Sequence, residues 1–134
     1  GEDWITRGYE SLTGQGGRSI CEPLTHTILE SGVEAAIEQY HELKQDQPDA
    51  YNFTEGQLNT LGYQLMWRNM HEAAIQVHKL NIQTYPESAN PYDSLGETYM
   101  ASGNKELAIE YYEKALSINP DMPSAIDALK TLKA

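Results

Sequence analysis

Four histidines, a single cysteine and an excess of carboxylates are the side chains of this 134-residue chain with the means to do chemistry. His71 and His78 stand seven residues apart, so on a helix they share a face, with Glu72 beside the first. Such a pair is a conceivable start of a metal site, but further ligands are needed and the spacing HExxH does not occur. His26 and His41 belong to no cluster and read as solvated or packing side chains. Cys21 is alone, which excludes an internal disulfide and a cysteine-based metal site. It reads as a small buried or half-buried residue. As a nucleophile it needs a base, and His26, five residues on, lies ~140° away around a helix. The run Gly14-Gln15-Gly16-Gly17 has neither the Lys-Ser/Thr ending of a phosphate loop nor a strand before it, and reads as a flexible linker. There is no Gly-x-Ser-x-Gly elbow. The carboxylates are spaced as solvated helix faces. The chain is therefore read as non-catalytic, with no cofactor and no metal.

The elements that carry these side chains announce themselves through punctuation. Three helical stretches close alike, at Gln47-Pro48-Asp49, Tyr85-Pro86-Glu87 and Asn119-Pro120-Asp121, with intervals of 38 and 34 residues between the prolines. Proline ends a helix because it has no amide donor and its ring clashes with the preceding turn. Leu58, Leu61, Leu65 and Tyr92, Leu95, Tyr99 recur at i, i+3, i+7, as do Val33, Ala36, Tyr40 and then Leu43, each set marking one face of a helix. Gly62, Gly96, Ala74 and Ala108 are small where paired helices must approach. Thr54 with Gln57, and Asn69 with Glu72, have the spacing of capping boxes. Asn90-Pro91 sets proline at a first helical position, and Gly103 suits the turn that closes a helix. No stretch alternates strongly enough to be claimed as a strand, and the four additional residues of the first interval fall in a loop over 49–55.

Length and charge narrow the partners. A chain of this size buries roughly two thirds of its unfolded surface as one domain, and 40% hydrophobic with 22% charged residues is ordinary for a globular protein. No apolar run reaches the ~18 residues of a membrane span. The formal net charge of −11 repels polyanions at long range. Nucleic acid and membrane insertion are accordingly not expected. Gly1 in place of an initiator methionine reads as the scar of an excised or processed piece, so compartment stays open.

Aligned on Pro120, the residues Tyr92, Leu95, Gly96, Tyr99, Ala108, Tyr112, Ala115 and Pro120 follow the order and spacing of the 34-residue tetratricopeptide repeat, and NPYDSLGETYMASGNKELAIEYYEKALSINP resembles a consensus copy. One unit earlier those slots hold Leu58, Leu61, Gly62, Leu65, Ala74, His78, Asn81 and Pro86, of which Leu58, His78 and Asn81 depart from the pattern. GVEAAIEQYHELKQDQP supplies a further second helix, preceded by a poorly matched first helix over roughly 19–31. The resemblance implies an all-α fold: tandem helix-turn-helix units over about 19–50, 55–88 and 89–122, wound as a right-handed superhelix. A C-terminal capping helix over about 123–133 follows, with Ile126 and Leu129 in the slots of Tyr92 and Leu95 and with Asp127, Lys130 and Lys133 turned away. Residues 1–18 form a linker or docking segment in which Trp4, Ile5, Tyr9 and Leu12 suit a short amphipathic stretch. In the aromatic slot of such a repeat, His78 becomes a core or half-buried residue.

The same resemblance implies a module that holds a protein or peptide on the first helix of each pair. Carried over by phase, the candidate contact residues are Asn59, Tyr63, Met66 and Trp67, then Asn90, Asp93, Glu97 and Met100. Exposed Trp, Tyr and Met make energetically dominant contacts, and the amide of Asn bonds a peptide backbone from both sides. Trp67 is the first choice; the alternative is that it packs against a neighbouring repeat. Asp93 and Glu97 read as solvated charges before they read as contacts. Some relatives grip a chaperone's C-terminal carboxylate with Lys, Asn and Arg, but the corresponding slots here hold Cys21, Thr25, Thr60, Asn90 and Ser94, with no cation. An acidic face suits a basic or neutral peptide instead. The wording from GVEAAIEQYHELKQDQPDAY onward is also similar to C-terminal repeats appended to some bacterial serine hydrolases and esterases, which implies an upstream catalytic domain as partner. A third expectation is a homodimer through the atypical first repeat.

Overall fold

The structure is a computed structural model, and it describes residues 17–134. Trp4, Ile5, Tyr9, Leu12 and the stretch 14–16 lie outside the described residues. The chain divides into two compact units, one up to Gln57 and one over Leu58–Ala134.

In the first unit, β1 (Arg18–Ser19) is followed by α1 (Cys21–Ser31), α2 (Val33–Asp46) and β2 (Tyr51–Asn52). Leu24 and Ile28 of α1 meet Ala36 and Tyr40 of α2 at helical spacing, and all four are buried. Gly32, at φ 96°, is the whole connection between the two helices. The expected loop over 49–55 holds more order than the sequence shows. Arg18 pairs in parallel with Tyr51, and Ser19 with Asn52. Two residues per strand are too few for alternation to register. Gly17 makes this pairing possible and is no mere linker residue. Its φ is 73°, and a Cβ there would lie 1.9 Å from the carbonyl oxygen of Ala50. Phe53 then packs edge-on against Tyr40, with ring centroids 5.6 Å apart.

Helix α3 (Glu55–Trp67) leads into the second unit, which continues with α4 (His71–Thr84), α5 (Asn90–Ala101), α6 (Lys105–Ile118) and α7 (Pro123–Leu132). The second helix of every pair, α2, α4 and α6, spans 14 residues. The turns after α3 and α5 are copies of each other 34 residues apart. Asn69 (φ 62°) and Gly103 (φ 87°) take the left-handed conformation. Met70 N–H bonds the Leu65 carbonyl and Asn104 N–H bonds the Tyr99 carbonyl, each at 2.9 Å.

Two expected capping boxes do not form. Asn69 serves as the left-handed closing residue of α3, a conformation asparagine tolerates, so Met70 takes the cap position of α4 with no side-chain bond. The side chain of Gln57 accepts from the Ser19 hydroxyl, and the Thr54 N–H donates to Asn52 Oδ1 at 3.0 Å instead, so Thr54 and Gln57 share a backbone bond, 3.0 Å. A side-chain cap is made by Asn104, whose Oδ1 accepts from Leu107 N–H at 3.2 Å.

Packing of the pairs follows the small residues. A Cβ on Gly62 would stand 2.3 Å from Cε1 of His78, and one on Gly96 would stand 3.0 Å from the ring of Tyr112. Each glycine lets a flat ring lie directly on the backbone of the first helix. Leu58, Leu61, Leu65 and Leu95 are fully buried above this contact, as are Ala74, Ala108 and Ala115. Helix α7 closes the unit through buried Ala125 and Leu129, while Asp127, Lys130 and Lys133 are exposed, in line with its expected role as a cap.

Candidate functional site

Helices α3 and α5 are the first helices of consecutive pairs, and short polar side chains seam them together. The Ser94 hydroxyl donates to Asn59 Oδ1 at 2.5 Å, and the Thr98 hydroxyl lies 3.7 Å from the sulfur of Met66. Thr98 also satisfies itself on the Ser94 carbonyl at 2.9 Å. Ser94 bonds Tyr63 as well, so one hydroxyl holds two of the expected contact residues.

Tyr63 is the hub of the face. Its ring meets Trp67 at 5.8 Å with 32° between planes and stands edge-on to His78 at 5.8 Å. Trp67 itself is 72% exposed and Met100 is 41% exposed. An indole so uncovered is not accounted for by packing within its own unit. Asn90 is exposed at the start of α5, and Asn59 is half-buried under its bond to Ser94.

Three of the eight residues occupy places the sequence does not reveal. Met66 is buried beside Thr98, so it packs where an exposed contact is expected. Asp93 is 8% exposed and accepts a bond from the Ser124 hydroxyl of α7 at 3.0 Å, so it is not a solvated charge. Glu97, one turn on, is half-buried. The physical reason is that Thr98 of α5 lies against Met66 and Ser124 of α7 against Asp93, contacts between helices that residue spacing along one helix does not show.

Enclosure sets the electrostatics. Burial raises the Asp93 carboxyl above its ordinary value, with the Ser124 bond partly opposing. Burial raises Glu97 too, and the Asp93 charge adds to it. Tyr63 is raised by burial, opposed by the Ser94 bond and reinforced by Glu97 and Asp93. The Tyr112 hydroxyl, raised well above the usual range by burial, feels Asp93, Glu97 and Tyr63 in turn. Neither carboxylate forms an ion pair among the described residues. The face thus sets two carboxyl groups near the Tyr63–Trp67 pair, and among the described residues no cation pairs with either of them.

The remaining candidates for chemistry are occupied otherwise. The Cys21 thiol donates to the Gln57 carbonyl at 2.8 Å, and His26 faces Glu30 at 3.3 Å. His78 is fully buried with both ring nitrogens lacking a hydrogen-bond partner, and burial lowers its pKa to about 4. It is a core residue, as its slot in the repeat implies. No group of three or more His, Cys, Asp or Glu side chains suited to a metal occurs among the described residues.

Thr98 and Ser124 escape a reading by residue type, and the bonds of Ser94 to Asn59 and Tyr63 are not visible in its spacing. The 34-residue register does expose part of the cluster, because Asp93 and Glu97 stand one repeat after Asn59 and Tyr63.

Comparison with known proteins supports the repeat. Residues 89–122 match the family model described as tetratricopeptide repeat. Among solved structures, the first TPR of Spaghetti (RPAP3) bound to the HSP90 peptide SRMEEVD is similar with a TM-score of 0.58 and 16% identity, covering 85% of this chain and 87% of that one. The second TPR domain of human RPAP3, in complex with the HSP70 peptide SGPTIEEVD, gives 0.59 and 17%, covering 87% and 93%. The Sgt2 TPR domain from Aspergillus fumigatus gives 0.57 and 19%, covering 88% and 83%. No match was found among curated protein sequences. The fold is therefore an all-α helical repeat of the tetratricopeptide type.

Proposed function

We propose that the chain is a protein- or peptide-binding module whose working surface is the α3–α5 face, and that its partner places a lysine or arginine there. The observation that carries this reading is the pairing of Asp93 and Glu97, both desolvated and without a cation, with the exposed Trp67 and its neighbour Tyr63. A basic side chain against these groups gains an ion pair and an aromatic face together; two unit charges about 4 Å apart near a protein surface attract by ~4 kcal/mol before desolvation, and a cation over an aromatic ring adds roughly 0.5–2 kcal/mol. Structurally similar TPR domains hold peptides ending in Glu-Glu-Val-Asp. Here the slots Thr60, Asn90 and Ser94 of the second unit bring no cation to a terminal carboxylate, while Asp93 and Glu97 repel it. The peptide-holding use of the fold therefore comes with the opposite charge preference.

Affinity capture from source-cell lysate, with wild type beside Tyr63→Ala/Trp67→Ala, tests the reading. A specific band lost in the folded double variant supports it, and a band of unchanged strength removes this face from the account. A second reading, self-association through the first helix pair, draws on Leu29 of α1, which is 58% exposed. A light-scattering mass of one chain at high micromolar concentration would overturn it.

A further inference from the structure

The second unit carries a further surface, on its second helices and opposite in charge. Lys79, Ile82 and Gln83 project from one face of α4 at i, i+3, i+4, while Tyr111 and Lys114 project from α6 and Tyr92 from α5. Together they line an open cavity of about 360 Å³. The floor is aromatic and braced. Tyr92 and Tyr111 stack at 6.4 Å with 22° between planes, and Tyr111 stacks on Tyr99 behind it at 5.5 Å. The Lys114 ammonium sits over the Tyr111 ring, 4.6 Å from its centroid. Its one ion pair is with the exposed Glu110 at 3.4 Å, and Lys79 has none among the described residues.

Among the described residues, no carboxylate lines this cavity. In a chain with nine basic residues against twenty acidic ones, two lysines here converge on a shared hollow with no acidic side chain in its wall. We infer that this α4–α6 groove is a docking site for an acidic peptide segment, one in which a glutamate or aspartate adjoins an aromatic or large apolar residue. The carboxylate sits between the Lys79 and Lys114 ammoniums, displacing Glu110 from Lys114. The apolar neighbour lies on Tyr92, Tyr111 and Ile82, where two stacked rings already carry the Lys114 ammonium over one of them. The volume holds one or two side chains. Charge selects the length of the ligand. The chain's net charge of −11 repels an extended polyanion at long range, whereas a single carboxylate is captured by short-range contacts that outweigh it. Nucleic acid and anionic lipid surfaces are thereby disfavoured.

The test titrates the full chain with N-acetyl-Glu-Phe-Glu-amide, followed by amide and side-chain NMR shifts, beside N-acetyl-Lys-Phe-Lys-amide and a short oligothymidylate. Saturable shifts should centre on Lys79, Ile82, Tyr92, Tyr111 and Lys114 with the acidic probe only. Reversal of both lysines, Lys79→Glu/Lys114→Glu, should weaken that binding by about tenfold or more, as should added salt. If the reversed pair does not fold, Lys79→Gln/Lys114→Gln gives the same comparison. Tyr63→Ala/Trp67→Ala should leave it unchanged, which separates this groove from the α3–α5 face. Silence at these residues up to ~10 mM probe, equal shifts from the lysine peptide, tighter binding of the oligothymidylate, or indifference to both lysine variants would each overturn the inference.

Discussion

Replacing His78 with phenylalanine should change how stability depends on pH, and the size of the change follows from the burial of one ring. His78 lies flat on Gly62, fully enclosed, with neither nitrogen bonded. The fold therefore favours the neutral imidazole, and its pKa falls from 6.5 to about 4. A lowered folded value means that the stabilisation is complete above the unfolded pKa and is lost as pH falls toward the folded one. Near pH 5 the unfolded chain holds this proton almost fully and the folded chain about one tenth of the time, a difference worth roughly 2 kcal/mol. Phenylalanine offers the same flat shape to Gly62 that Tyr112 offers to Gly96, and it takes no proton. Two unbonded nitrogens also disappear, so at about pH 7.5 the variant should gain ~1 kcal/mol or more. Asp93 and Glu97 act with the opposite sign, since their raised values make the fold gain stability as pH falls. They are common to both proteins and cancel in the difference. Urea unfolding of wild type and His78→Phe between about pH 7.5 and 5 should show the gap widening by ~2 kcal/mol. Parallel curves would refute the reasoning.

Other perturbations test the packing and the face. Gly62→Ala, whose Cβ would meet His78 at 2.3 Å, should cost about 1–3 kcal/mol. Gly96→Ala, at 3.0 Å from Tyr112, should cost less, and equal losses in urea would contradict the geometry. Gly17→Ala forces a side chain into a left-handed residue 1.9 Å from the Ala50 carbonyl, so it should speed hydrogen exchange at Arg18 N–H, which that carbonyl accepts at 3.1 Å. Unchanged protection there would count against the parallel pairing. Asp93→Asn relieves a buried charge while keeping a partner for Ser124, so its unfolding midpoint should rise at alkaline pH and converge with wild type in acid. A fall at alkaline pH would show that Asp93 is paired more favourably than its surroundings indicate.

Much of the architecture is legible because it is local. Prolines at a fixed interval, glycines opposite flat rings and leucines at helical spacing each act within one helix or between adjacent ones. The succession of helices follows from them. The caps at Thr54 and Asn69 misread because two structures compete for the same side chain: Gln57 turns to Ser19, and Asn69 is needed to reverse the chain. The β1–β2 pairing is hidden for a different reason, as it joins residues more than thirty apart through two-residue segments. At the α3–α5 face the register alone brings Asn59, Tyr63, Asp93 and Glu97 into one group. Burial of Met66 and Asp93 depends on Thr98 and Ser124, whose roles come from the packing of α5 and α7 and not from any motif.

The claim that the α3–α5 face binds a basic partner is tested most directly by selecting from a random peptide library on the folded full chain, in parallel with Tyr63→Ala/Trp67→Ala and Glu97→Gln. The account predicts enrichment of peptides carrying lysine or arginine, with enrichment lost in the double variant and weakened by Glu97→Gln. Selections that yield no lysine- or arginine-bearing peptide, or basic peptides that enrich equally on wild type and the double variant, would contradict it; acidic peptides held by the α4–α6 groove enrich equally on both and do not bear on it.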